Sequence, residues 1–286
     1  MGNELTSQKP QTGVARVHTL LNSPAIKKRF DEVLGQKSAG FMSSIISAVS
    51  SNKYLLECDP MSVISSAAVA ASMDLPINQN LGFAHIVPYK GVAQFQIGWK
   101  GLVQLAMRTG QYKTINAVKI MEGQIKKHDI FTGEMEFQEQ ATSDKVIGYL
   151  LYFKLLNGFE KYHYMTADEC KKHANRYSAA FKSGYGPWKD DFDAMALKTV
   201  VKMGLSKYGI LSIQMEKAIT VDQAEVNEAG EVVGYPDAEP APQIEAPARQ
   251  EGPSRLKSAI KKADPQPAKP AQEVNLDADS VEETPI

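Results

Sequence analysis

Cysteine is nearly absent from this 286-residue chain. Cys58 and Cys170 are too few and too far apart for a disulfide framework, so both are expected as buried or half-buried thiols. Long apolar runs are missing too. Stretches such as residues 146–153 fall far short of the ~20 residues a membrane-spanning helix needs. The first fifteen residues hold no apolar segment, so no secretory signal is read there and a cytoplasmic location is expected. The phosphate loop G-x-x-x-x-G-K-[ST] is lacking. Its nearest approach, Gly91 through Gly98-Trp99-Lys100, has the wrong spacing and no following hydroxyl. The dinucleotide fingerprint is also missing, and with it any basis for ATP-driven strand exchange. The histidines (His18, His85, His128, His163 and His173) show no zinc spacing, and no serine or cysteine has a nearby base. No catalytic group is expected.

What is present begins with charge. The net charge is −1, yet residues 1–217 carry 26 Lys+Arg against 19 Asp+Glu, and residues 218–286 carry 6 against 14. A basic body with an acidic tail suggests a polyanion-binding domain bearing a solvated appendage. Nine of the fifteen prolines lie after residue 217, and Tyr235 is the only aromatic there. Such a segment buries too little apolar surface to offset chain entropy. The expected division is a flexible N-terminus (1–22), a core (23–220) and a disordered tail (221–286). Within the tail, Leu256 and Ile260 stand at i,i+4 among Arg255, Lys257, Lys261 and Lys262. Residues 253–263 would form a short helix on a partner, or remain a fluctuating basic patch.

The body reads as α+β, a small antiparallel sheet with surrounding helices. Ser23-Pro24 and Asp59-Pro60 each place a capping residue before proline at a helix start. Gly35 and Gly40 are expected to separate two helices, the second over about 41–49. An Ala- and Ser-rich helix follows and ends near Asp74-Leu75-Pro76. Beyond Pro76 the period alternates: residues 83–87 and 93–97 predict strands joined through Tyr89-Lys90-Gly91. A short helix should end at Thr109-Gly110. Strands follow near 114–121 and 146–156, and Asn157-Gly158 predicts a hairpin turn into 159–165. Helices are expected over 167–177 and about 189–207.

The cluster Asp190-Asp191-Phe192-Asp193 suits a divalent metal, and it equally suits the first turn of a helix, where negative charge opposes the positive dipole end. Capping is the favoured reading. Basic and aromatic residues say more. Lys100, Gln104 and Arg108 share one face of the helix after Trp99, and Thr109, Gln111 and Lys113 extend that polar surface. Tyr89, Lys90, Gln94 and Gln96 precede it. On the last helix, Lys198 and Lys202 are expected to stack away from the apolar stripe, with Lys189 near its start and Lys207-Tyr208 at its end. Long donors suit a phosphate backbone, and interleaved rings let bases stack whatever their sequence.

The segment from Pro88-Tyr89-Lys90-Gly91 through Gln94-Phe95-Gln96-Ile97-Gly98-Trp99-Lys100-Gly101 to Arg108-Thr109-Gly110-Gln111-Tyr112 resembles the RecT family of phage and prophage recombination proteins. So do Asp74-Leu75-Pro76-Ile77, Asn157-Gly158-Phe159-Glu160-Lys161 and Trp188-Lys189-Asp190-Asp191-Phe192-Asp193 with the residues up to Thr199. The likeness runs over about 23–220. It implies an ATP-independent single-strand annealing protein, not an enzyme, acting in homologous recombination in the cytoplasm of a bacterial host. It implies partners as well: single-stranded DNA and the annealed duplex, further copies of the chain in rings or helical filaments, a phage 5′→3′ exonuclease and the host single-strand binding protein. No membrane contact is implied. No cofactor is expected beyond a Mg²⁺ dependence of DNA binding. The alternatives are a passive single-strand binding protein, and a metal-dependent nuclease using Asp190, Asp191 and Asp193. The resemblance implies a positively charged groove, and the Lys100/Arg108 segment and the Lys198/Lys202 helix fall where its residues are expected; with the basic and aromatic residues read above, the expected DNA-binding set is Lys90, Gln94, Gln96, Trp99, Lys100, Gln104, Arg108, Thr109, Gln111, Lys113, Lys189, Lys198, Lys202, Lys207 and Tyr208.

Overall fold

The computed structural model describes residues 13–235. The expected tail helix at 253–263, and most of the tail and N-terminal segment, lie outside the described residues. Helices come first: α1 (Gly13–Leu21), α2 (Pro24–Leu34), α3 (Ser38–Ser51), α4 (Lys53–Leu56) and α5 (Pro60–Ser72). Pro24 and Pro60 occupy first-turn positions, and Asp59 caps α5 by accepting from the Ser62 amide at 2.8 Å. Gly35 takes a positive φ of 53° and ends α2, whereas Gly40 lies inside α3. The second helix therefore starts earlier than its glycine suggested. Helix α1 falls in the segment expected to be flexible, and it buries Val17 and Leu21.

The hairpin β1 (Ala84–Tyr89) and β2 (Val92–Ile97) follows. Its two-residue turn has Lys90 at φ 49° and Gly91 at φ 81°, the left-handed pair that matches strand twist. Helix α6 (Trp99–Arg108) starts directly after β2. A Cβ on Gly101 would collide with the Phe83 carbonyl, so this glycine lets the helix approach the chain entering β1. The longer sheet has the order β3 (Tyr112–Met121), β6 (Val146–Leu155), β7 (Glu160–Thr166), all antiparallel. Between β3 and β6 lies a hairpin that alternation did not signal, β4 (Ile125–His128) with β5 (Met135–Phe137). Lys126, Lys127 and His128 are exposed there, and three-residue strands show no readable period.

Helices α7 (Ala167–Tyr177), α8 (Ala179–Lys182), α9 (Pro187–Asp190), α10 (Phe192–Tyr208) and α11 (Ile213–Val221) complete the body, and a small hairpin β8 (Glu225–Val226) and β9 (Val232–Gly234) ends it. Along β6, Tyr149, Leu151, Phe153 and Leu155 join the main core, while Leu150 packs with Ile120 and Met135 on the opposite face. Both faces of the sheet are thus covered.

The free edge of β2 is closed residue by residue. Ser62 accepts from the Ala93 amide at 2.8 Å, and Ser66 donates to the Ala93 carbonyl at 2.9 Å. The Gln223 amide donates to the Phe95 carbonyl, and the Ile97 amide donates to the Asp222 carboxylate. An edge closed this way offers no template for another strand. The sequence division placed the tail from residue 221. The structure puts Val221, Asp222 and Ala224 in the interior, with β8 and β9 beyond them. The physical reason is the β2 edge, whose backbone groups need these partners.

Candidate nucleic-acid interface

A groove of ≈ 1360 Å³ runs between the β1–β2 hairpin and the segment from α7 to α9, with α10 as its floor. Lys90 reaches it from the hairpin tip, its ammonium 5.1 Å from the Tyr89 ring. Gln94 and Gln96 line it from alternate positions of β2, Lys189 from α9, and Lys198, Lys202 and Lys207 from α10. Tyr54, Tyr177 and Tyr185 also line it and are exposed. No carboxylate among the described residues pairs with Lys90, Lys189 or Lys207. Such ammoniums are free to meet an incoming anion.

The floor is organised differently. Lys198 is 7% exposed and donates to Asp222 at 2.9 Å; Lys202 donates to the other carboxylate oxygen at 2.8 Å. The expectation that both lysines point into solvent is corrected for Lys198. Position i of that pair faces the interior because a carboxylate waits there. Burial draws the Lys198 ammonium below its ordinary range against the pull of Asp222. Burial alone would raise the Asp222 carboxyl, but the two ammoniums and their hydrogen bonds outweigh it and hold the carboxyl low. Gln94 is 3% exposed, and its Nε2 has no hydrogen-bond partner among the described residues. Cys58 lines the groove as well, its thiol pushed up by burial and by Glu57 and Asp59, so it is no thiolate nucleophile at neutral pH.

The remaining sequence candidates lie elsewhere. Trp99, Lys100, Gln104, Arg108, Thr109, Gln111, Lys113 and Tyr208 are not among the residues lining the groove. Lys100 is exposed, its ammonium 5.9 Å from the Trp99 ring. Arg108 donates to the carbonyls of Met73 at 2.7 Å and Asp74 at 2.9 Å, satisfying backbone acceptors just past α5. Thr109 donates to the Ala106 carbonyl. Two ammoniums lie near the Tyr208 ring, Lys161 at 5.0 Å and Lys207 at 5.2 Å from its centre. The structure thus gathers Lys90, Gln94, Gln96, Lys189, Lys198, Lys202 and Lys207, and leaves the α6 stripe outside.

The acidic cluster also divides. Asp191 caps α10, accepting from the Ala194 amide at 3.0 Å. Asp193 accepts from Tyr149 at 2.6 Å and from Lys119 at 2.8 Å, which ties α10 to the sheet. Among the described residues no group of three His, Cys, Asp or Glu side chains is placed to hold a metal ion. Sequence reading missed the groove residues Tyr54, Tyr177, Tyr185 and Asp222. The run Tyr185-Gly186-Pro187-Trp188, aromatic residues around turn formers, was the available signal for that wall.

Comparison with known proteins identifies the family. The RecT family model matches residues 39–234. An uncharacterized protein YqaK of Bacillus subtilis (strain 168) is 51% identical over 225 residues, which cover 78% of each chain. The protein RecT of Escherichia coli (strain K12) is 26% identical over 227 residues, 73% of this chain and 81% of its own. The family match ends at residue 234, where the described hairpin β8–β9 ends. Matched by the family model along most of its length, the chain belongs to the RecT family.

Proposed function

We propose that this chain is an ATP-independent single-stranded DNA binding and annealing protein acting in homologous recombination, and that it oligomerises on DNA and holds strands in the groove with their bases free to pair. Family membership supports the general class, a recombination and annealing protein. One observation carries the finer reading: Lys90, Lys189 and Lys207, without acidic partners among the described residues, share a groove with the exposed rings of Tyr54, Tyr177 and Tyr185. Two single strands repel each other as polyanions, so a groove that neutralises one backbone lowers the barrier to bringing in the second. Rings that stack without regard to base identity suit a protein that tests any sequence for complementarity. Many weak sites in register then matter more than one tight contact, which is why assembly of several copies belongs to the reading. A 5′→3′ exonuclease that supplies single strands and a host single-strand binding protein are the partners it implies. A Mg²⁺ effect on binding would arise from screening of phosphates.

The test is annealing of complementary oligonucleotides without nucleotide cofactor. Accelerated pairing supports the reading. Slowed pairing identifies a passive coating protein, and shortening of the strands in Mg²⁺, abolished by Asp191→Ala, identifies a nuclease.

A further inference from the structure

A second pocket shares no lining residue with the groove. It is set between α2, α5 and the turn of the β8–β9 hairpin, with Lys217 of α11 on its lining. Phe30, Ala68, Val69 and Ala71 give it buried apolar walls, and Val33, 51% exposed, carries the apolar surface outward to solvent. The space is ≈ 60 Å³. One water takes about 10–15 Å³ of such space, so about four to six non-hydrogen atoms fit. That is one branched aliphatic side chain, and it is too little for a nucleobase.

Two cations line this apolar space. Arg29 donates through Nη1 to the Glu228 carbonyl, which holds the β8–β9 turn beside the pocket. Its Nη2 makes no hydrogen bond among the described residues and lies 3.9 Å from where a Cβ on Gly230 would stand. Gly230 takes a φ of 82°, so the turn brings a residue without a side chain to this point and leaves the guanidinium uncovered. Lys217 reaches the Ser72 hydroxyl at 3.4 Å. Neither cation pairs with an acid among the described residues.

An open pocket that takes so few atoms seats one residue of something larger. The anion that answers Arg29 and Lys217 must then belong to that same residue. In a polypeptide, an aliphatic side chain and a negative charge stand on one Cα only at the carboxyl terminus. We infer that this pocket docks the carboxyl terminus of a partner protein whose last residue is aliphatic. The side chain fills the space against Phe30, and the carboxylate accepts from the Arg29 guanidinium and the Lys217 ammonium. This does not depend on the proposed function, since none of these residues lines the groove.

The test is a fluorescence anisotropy titration of the full chain against a short peptide that ends in leucine and carries its label at the amino end. The free-acid peptide should bind, and its carboxyl-terminal amide should bind about tenfold more weakly, as expected when a hydrogen bond between charged groups is lost. A peptide ending in serine should also lose binding, because it leaves the apolar walls uncovered. Arg29→Gln and Lys217→Gln should each weaken the free acid, leave the amide as it was, and leave the affinity for oligothymidylate unchanged. Equal binding of acid and amide, or no binding of either, would overturn the inference without any variant having to fold. Free-acid binding that survives both substitutions would place the peptide elsewhere and overturn it too. Equal affinity for 4-methylpentanoate would make the ligand a small carboxylate rather than a chain end. A loss of oligothymidylate binding in Lys217→Gln, with the peptide unaffected, would assign the cation to the nucleic acid and sink the docking site.

Discussion

Lys198 and Asp222 are joined by a 2.9 Å hydrogen bond in the interior, although 24 residues separate them along the chain. In the sequence, Lys198 and Lys202 read as one solvated stripe, and Asp222 reads as the start of an acidic tail. In the fold they form a single unit, with the Ile97 amide as a third donor to the carboxylate. The unit welds α10, β2 and the end of α11 together. A buried ammonium persists only when paired, so the acid is what allows a lysine to sit beneath the groove.

Removing that acid should be costly. Asp222→Ala leaves Lys198 without its counter-charge and the Ile97 amide without its acceptor, and breaking a buried pair on one side costs about 3–5 kcal/mol. Replacing both partners, as in Lys198→Met with Asp222→Leu, should recover the part of that loss due to the stranded ammonium, since apolar packing of similar volume often substitutes for a buried pair, while the Ile97 amide still lacks its acceptor. Urea unfolding midpoints of the two variants would check this. A mild single variant and a severe double one would show that the pair is not what holds the segment.

The same unit fixes where the folded body ends. A chain stopped after Thr220 loses Val221, Asp222 and Ala224 from the interior and uncovers the Phe95 carbonyl and Ile97 amide on the β2 edge. It should fail to show a cooperative thermal transition by circular dichroism. A chain stopped after Tyr235 keeps each of these interactions and should melt as the full protein does. Equal melting of both would make the edge pairing dispensable.

What could be read from the sequence was local. Ser23-Pro24 and Asp59-Pro60 mark helix starts because the cap and the constrained φ are adjacent residues, and both helices begin there. Lys90-Gly91 and Asn157-Gly158 mark turns for the same reason. The hairpin β4–β5 escaped because Lys126, Lys127 and His128 all face solvent, which erases the alternation. Residues 221–235 escaped because their interior positions are set by the needs of β2, more than a hundred residues earlier. The groove was half legible: Lys90, Gln94, Gln96 and the α10 lysines carried a polar signature. The wall built by Tyr177 and Tyr185 is a relation between distant segments, and periodicity does not encode it.

Histidine protonation should set an acid limit on stability. Burial holds the imidazoles of His85, His163 and His173 below their ordinary pKa, reinforced by Lys198, by Lys207 and Lys161, and by Lys202 respectively. An imidazole that is harder to protonate in the folded chain stabilises the fold above the unfolded value, about 6.5. As the pH falls below that value the unfolded chain takes up protons that the fold refuses, and the stability is lost. Melting temperature should therefore be flat between about pH 7 and 8 and fall below about 6.5. His163→Gln should flatten the acid limb. A profile unchanged down to pH 5 would mean that the three rings protonate freely in the fold.

The salt dependence of DNA binding should distinguish the groove from the α6 face. Lys90, Lys189 and Lys207 lack acidic partners among the described residues and line the groove, so the triple glutamine variant should bind more weakly. Its log-log salt slope should be shallower by about 0.7 for each phosphate that is no longer neutralised, the value for single strands. Arg108 is a different case, because its guanidinium is already bound to the carbonyls of Met73 and Asp74. Arg108→Gln should cost stability, about 1.5–3 kcal/mol for hydrogen bonds to a charged group, and leave the slope as it was. The two variants thus move opposite observables, and urea unfolding beside a salt titration reads both. A changed slope with an unchanged unfolding midpoint in Arg108→Gln would move the DNA path from the groove onto the surface of α6.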